Sequence, residues 1–151
     1  MTGRAGETAQ TEVAVARLVV CYESLTLTGL ADLGACYAED AQFRDPFNQV
    51  EGRAAILRIF EHMFATADAP RFRVTWQMVQ GREAVLGWEF QLRLRGRPGV
   101  IEGVSHLRFD AAGQVVAHRD YWDAASELYE KLPVVGAGVA WLRRRLAAPQ
   151  P

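Results

Sequence analysis

The sequence is short of most features that announce a partner. It has two cysteines in 151 residues, Cys21 and Cys36, and neither stands in a Cys-x-x-Cys or Cys/His spacing, so neither a disulfide framework nor a zinc site is indicated. Both read as buried thiols in a reducing compartment rather than as a disulfide or a nucleophile. Charge of neither sign dominates: 17 Lys and Arg against 18 Asp and Glu give no basic field for nucleic acid and no acidic tail. No run approaches the roughly 18 apolar residues of a membrane span, and the opening ten residues lack the apolar stretch of a secretion signal. A phosphate-cradling glycine loop, a nucleophile triad and a metal cluster are all missing, so the expected site works without metal or cofactor. The expected compartment is the cytoplasm, with no nucleic-acid and no membrane partner.

What is present is a large apolar share, half of all residues, enough for one domain with its own core. Residues 1–10 are small and polar and read as a frayed, disordered terminus. From Thr11, Val15, Leu18, Val19, Tyr22 and Leu25 recur at helical steps, a second short helix covers 30–37, and Ile56, Ile59, Phe60, Met63 and Phe64 mark a third. Between them Ala41, Phe43 and Asp45 alternate in a strand ended by Pro46. The period then drops to two: Phe72, Val74, Trp76 and Met78, then Trp88, Phe90, Leu92 and Leu94, then Ile101, Gly103, Ser105, Leu107 and Phe109, each set opposite a polar one. Helices followed by a meander of one-sided strands predict an α+β domain over 11–123, a curved antiparallel sheet covered by helices on one face. Residues 124–151 form a C-terminal helical extension broken at Pro133, whose stripe of Leu128, Leu132, Val135, Val139 and Leu142 asks for burial.

The anomaly lies on the last strand, where His118, Asp120 and Trp122 share the face expected to look inward. A buried carboxylate costs several kcal/mol unless it is paired or neutralised. Residues two apart on a strand lie about 6–7 Å apart, within reach of a His118–Asp120 hydrogen bond or a shared ligand.

The stretch Tyr37–Ala41 through Asp45, Pro46 and Phe47, then Gly52–Ile56, and later Ser105–Phe109 with Gly113–Val116, resembles the ketosteroid isomerase and SnoaL-like polyketide cyclase families of the nuclear transport factor 2-like superfamily. The resemblance spans roughly Val13 to Trp122 and implies a cone-shaped barrel in which a bent sheet wraps the helices around a deep pocket. It implies that Asp45, in its Asp-Pro motif, matches the isomerase's general base and that Tyr22 matches the tyrosine donating to the oxyanion. The isomerase's second donor falls on Ser105. An aspartate base on the final strand, here Asp120, resembles the cyclase branch instead. The expected chemistry is proton abstraction next to a carbonyl with Asp45 or Asp120 as base, Asp45 being the more basic, with Tyr22 holding the enolate oxygen and His118 orienting Asp120. Trp76, Trp88, Phe90, Trp122 and Phe60 are the expected walls for a small apolar ring ligand.

Two other classes share the fold. Limonene epoxide hydrolase activates a water with an Asp-Arg-Asp set plus Tyr and Asn, of which Tyr22, Asn48 and Asp120 supply parts. Its arginine has no counterpart, because Arg93, Arg108 and Arg119 fall on outward faces, as does Glu102. A non-catalytic binding or dimerisation module is the other class, since fold alone does not fix activity. The outer sheet face of Glu102, Val104, His106, Gln91 and Arg93, with the family's way of pairing, predicts a homodimer.

Overall fold

The structure, a computed structural model, describes residues 2–94, 96–124 and 135–147. Helix α1 (Thr2–Glu23), a 3-10 turn (Leu27–Gly29) and α2 (Leu30–Gly34) precede strands β1 (Tyr37–Arg44) and β2 (Gln49–Glu51). Helix α3 (Arg53–Thr66) then leads into the long strands β3 (Asp68–Gln80), β4 (Glu83–Leu94), β5 (Arg97–Phe109) and β6 (Val115–Trp122). A separate unit, residues 122–151, carries α4 (Val135–Leu146), on which Trp141 and Leu142 are exposed. The expected helical piece before Pro133, with Leu128 and Leu132, lies outside the described residues. No described helix is long and apolar enough to cross a membrane.

The fold class is the expected α+β, but the six strands form an open, curved sheet rather than a closed barrel, in the order β2-β1-β6-β5-β4-β3. Nor is it antiparallel throughout: β1 and β6 run parallel, Phe43 opposite His118 and Arg44 opposite Arg119. That one parallel pair brings the first strand of the chain against the last and so joins the two halves of the sequence. Val15, Leu18 and Tyr22 of α1, Ile56 and Phe60 of α3, and Leu86, Ile101, Leu107, Phe109 and Val115 of the sheet form the core.

The terminus expected to be frayed is instead the first half of α1. The hydroxyls of Thr8 and Thr11 return to the carbonyls of Arg4 and Glu7, each at 2.9 Å. The hairpin turn between β3 and β4 supplies tertiary partners: Gly81 N donates to Thr8 Oγ1 at 2.9 Å, and Arg82 pairs with Glu7 at 3.1 Å. A stretch with no apolar period of its own is thus helical because a turn far along the chain holds it.

Two local devices shape the sheet. In β3 the pairing steps from Val74 opposite Trp88 to Trp76 opposite Gly87, so Thr75 is an extra residue, a bulge. Past it the alternation reverses faces, and Trp76 and Met78, expected inside, are 45% and 69% exposed. The Trp76 indole lies on the outer face over Gly87, whose notional Cβ would sit 2.0 Å from Nε1. On the inner face the Trp88 indole lies across Gly103, directly opposite it on β5, where a Cβ would meet Cη2 at 2.3 Å. Gly103 therefore opens the space that lets Trp88 reach over its neighbouring strand.

These two glycines should respond differently to a methyl group. Gly103→Ala must push a buried indole out of a packed core, and is expected to destabilise by about 1–3 kcal/mol. Gly87→Ala displaces the exposed Trp76 ring, which has solvent to move into, and should cost less. Urea denaturation of the two variants checks the order.

Candidate active site

The inner face of β6 carries His118 and Asp120, as the alternation predicts. Both belong to one chain of hydrogen bonds. His118 Nε2 lies 2.6 Å from Asp120 Oδ1, the histidine side chain 2% and the aspartate 18% exposed. The same carboxylate oxygen accepts from Ser105 Oγ on β5 at 2.5 Å, and Ser105 in turn accepts from Trp88 Nε1 at 2.8 Å. The indole that Gly103 admits is thus the far anchor of the aspartate. Because Nε2 faces a carboxylate it carries a proton, leaving Nδ1 to meet the phenols: Tyr37 Oη at 2.7 Å and Tyr22 Oη at 3.3 Å. The two phenolic oxygens also hydrogen-bond each other.

Each member is held by backbone chosen for it. Tyr22 comes from the last turns of α1, and its ring is packed by Phe60 and Phe72, centroids 6.0 and 5.9 Å away. Tyr37 opens β1, where Arg53 at the start of α3 donates Nε and Nη2 to its carbonyl at 3.0 and 2.6 Å. Phe43, paired with His118 across the parallel strands, sets its ring 4.7 Å from the imidazole. Burial holds the Tyr22 and Tyr37 phenols well above the ordinary tyrosine pKa. The neighbouring Asp120 charge adds to the shift in both.

A cavity of about 30 Å³ opens beside this chain, lined by Tyr22, Phe60, Phe72, Val74, Leu86, Trp88, Ser105, His118 and Asp120. Its far wall is apolar; its polar wall is the hydrogen-bond chain, with the Tyr22 and Asp120 ends both facing in. Among the described residues no hydrogen bond reaches Asp120 Oδ2. The volume suits about two water molecules, not the ring ligand expected in a deep pocket. A ring can enter only if the side chains of α1, α3 and β3 give way.

The expected site residues therefore divide. Tyr22, His118, Asp120, Ser105, Trp88 and Phe60 meet at the cavity. Phe90 stands one layer back, stacked on Phe72 at 4.7 Å. Trp76 is on the other face of the sheet, for the reason the bulge gives. Trp122 ends β6, half-buried. Asp45 does not line the cavity: strand β1 ends at Arg44, and Asp45 turns to cap its own loop. Its Oδ1 accepts from Phe47 N at 2.7 Å and Asn48 N at 2.6 Å, and the Asn48 amide donates to both oxygens at 3.1 Å. Those donors satisfy the carboxylate locally, so Asp45 and Asn48 are turn residues here. Arg93, Arg108 and Arg119 are exposed, as expected of outward positions.

Tyr37 is the residue sequence reasoning missed. Extending the alternation of Ala41 and Phe43 back by two steps places it on the inward side, but its neighbourhood reads equally as a helix end. Among the described residues no group of three or more His, Cys, Asp or Glu could hold a metal ion.

Residues 21–118 match the family described as the SnoaL-like domain. No protein of curated function matches the sequence. Solved structures resemble the fold. One is a protein with a ketosteroid isomerase-like fold from Catenulispora acidiphila, in complex with trimethylamine: 17% identity, TM-score 0.65, covering 76% of this chain and 88% of that one. An LEH-like epoxide hydrolase from M. tuberculosis aligns at 14% identity and TM-score 0.66, over 91% of this chain and 98% of its own. TerC, co-crystallized with polyporic acid, aligns at 15% identity and TM-score 0.67, over 78% and 94%. At these identities the likeness is one of fold.

The buried phenols make stability depend on alkaline pH. A phenol whose folded pKa lies above its unfolded value contributes stability that is fully present below pH ~10 and is lost as pH rises beyond it, by up to about 1.4 kcal/mol per pH unit for each group. Chemical denaturation from pH 8 to 11 should show a fall that is shallower in the Tyr22→Phe/Tyr37→Phe double variant than in wild type.

Proposed function

The chain belongs to the SnoaL-like domain family, and on that footing we propose that it is a cofactor-free acid/base enzyme that removes a proton next to a carbonyl. The observation that carries this reading is that one buried hydrogen-bond chain has a carboxylate at one end and a phenol at the other, both facing the same apolar cavity. Asp120 is the base: Ser105 and His118 fix Oδ1, leaving Oδ2 to take the proton. Tyr22 is the donor to the enolate oxygen that forms as the C–H bond breaks, a role it takes when the imidazole carries a proton on both nitrogens, so that Nδ1 gives to Tyr37 and Tyr37 gives to Tyr22 from behind. The water-poor lining strengthens both interactions at the moment charge develops. The substrate class is a small enolisable ketone or polyketide-like ring, whose entry widens the cavity by moving Tyr22, Phe60 and Phe72. The likeness to a complex with polyporic acid fits a ring ligand for this fold.

The small volume beside Asp120 also suits a water held by that carboxylate, the basis of the epoxide-hydrolase reading, for which one structural relative speaks. The exposed arginines leave that reading without the cation between two acids. A binding module without turnover is the remaining reading.

Deuterium exchange at the carbon next to the carbonyl, followed by NMR over a panel of cyclic ketones, separates them. Wild type is expected to exceed buffer. Asp120→Asn should lose about 10³-fold and Tyr22→Phe about 10²-fold. Asp45→Asn should retain wild-type exchange, since an amide oxygen can still cap the turn. Exchange no faster than buffer across the panel removes the proton-transfer reading, and labelled solvent oxygen in a diol from a cyclic epoxide replaces it with hydrolysis.

The same reading extends to a homodimer through the outer face of the sheet. Arg44 and Arg119 lie side by side at one end of that face, and Glu89 and Glu102 lie side by side further along it. Gly87 and Val104 pair as well, an apolar patch on which Trp76 rests. Like charges as neighbours within one copy cost energy, and a second copy turned about a two-fold axis sets each pair against its opposite. Sedimentation equilibrium should give a dimer that 0.5 M salt weakens; a monomer at all concentrations removes this claim.

A further inference from the structure

We propose that Cys21 and Cys36 form an oxidisable pair, closed by a hydroperoxide into a disulfide that clamps the end of α1 to the start of β1. Fifteen positions apart, they are brought together by the turn through α2, with Sγ atoms 3.8 Å apart. The carbonyl of Asp32 lies 3.8 Å from Cys21 Sγ and 3.7 Å from Cys36 Sγ, so both thiols point at one place. Cys21 is half-exposed and Cys36 is 3% exposed, one thiol open to an oxidant and the other shielded behind it. Arg17, anchored by Nη2 to the carbonyl of Ala35 at 2.8 Å, sets a guanidinium beside Cys36. Its own pKa is raised chiefly by that thiol.

The chemistry balances with a hydroperoxide as the two-electron oxidant. The Cys21 thiolate attacks the outer peroxide oxygen, the O–O bond breaks, and the departing oxygen leaves as water or an alcohol. The Cys36 thiolate then attacks the sulfenic sulfur, forming S–S and releasing the hydroxyl as water. Burial first, and then the adjacent Cys36, push the Cys21 thiol up to about 11, so the first step is slow at neutral pH and quickens as pH rises.

The clamp falls next to the hydrogen-bond chain. Cys21 adjoins Tyr22 and Cys36 adjoins Tyr37, so the sulfur contact runs alongside the contact between the phenols. Joining the sulfurs fixes the helix end that carries Tyr22, one wall of the cavity.

The test treats reduced protein with a small excess of hydrogen peroxide at pH 8.5 and follows intact mass, thiol alkylation and hydrogen exchange. A loss of two hydrogens is expected, with neither cysteine alkylated, and with full reversal by dithiothreitol. Cleavage after Glu23 separates the two cysteines, so a fragment pair joined only before reduction identifies the bond. Amide exchange over residues 18–24 should slow, and the melting temperature should rise by about 5 °C. Cys21→Ser and Cys36→Ser should each fold and fail to lose the two hydrogens. The proposal is overturned by oxygen adducts without hydrogen loss, by two alkylatable thiols, by a disulfide between copies, or by unchanged exchange and melting in the oxidised protein.

Discussion

The site rests on one imidazole. His118 lies between the strand that carries it, the carboxylate two residues on, and two phenols from elements at the far end of the chain, so it can be seated only if α1, β1 and β6 are all in place. The parallel pairing of β1 with β6 makes this possible, because it sets Phe43 against the ring and brings Tyr37 within 2.7 Å of Nδ1. Taking Tyr37 away would leave Nδ1 only the longer contact to Tyr22 at 3.3 Å, and taking Asp120 away would leave the buried Nε2–H without its acceptor, a loss of about 1–3 kcal/mol in an apolar surround. Fold and site are therefore the same set of contacts here, seen from the sheet or from the cavity.

The apolar framework then serves a polar purpose. Gly103 lacks a side chain so that Trp88 can cross β5. Trp88 crosses so that its N–H can reach Ser105, and Ser105 holds the carboxylate oxygen that His118 also holds. A residue with no chemistry of its own thereby governs which oxygen of Asp120 faces the cavity. The cavity is tight for the same reason: every side chain around it is already supported by another.

Much of this was legible in the sequence. The alternation along β6 put His118 and Asp120 together and inward. The family resemblance pointed to Tyr22 and Ser105, and helical spacing found the faces of α1 and α3. What could not be read were features set by pairing rather than by pattern. Period-two counting carries Trp76 inward, and only the partner strand reveals the extra residue at Thr75 that turns it out. Asp45 matches the position of a base by motif, yet the strand stops one residue earlier and the loop's own amides claim the carboxylate. Residues 2–10 show no period because what holds them is the turn at Gly81 and Arg82. Tyr37 looked like the end of a helix until Arg53 fixed it as the beginning of a strand.

The order of donors along the chain has a directional consequence. Each phenol has one proton to give. With His118 carrying a proton on Nε2 alone, Nδ1 must receive one from Tyr37, and Tyr37 then receives one from Tyr22, so the oxygen Tyr22 turns to the cavity is an acceptor. Add a second proton to the imidazole and every link reverses: Nδ1 gives to Tyr37, Tyr37 gives to Tyr22, and the Tyr22 hydroxyl points its hydrogen at whatever occupies the cavity. The same atoms, without moving, thus welcome a donor in one state and a carbonyl or enolate oxygen in the other, and the choice is made by a single proton on Nδ1.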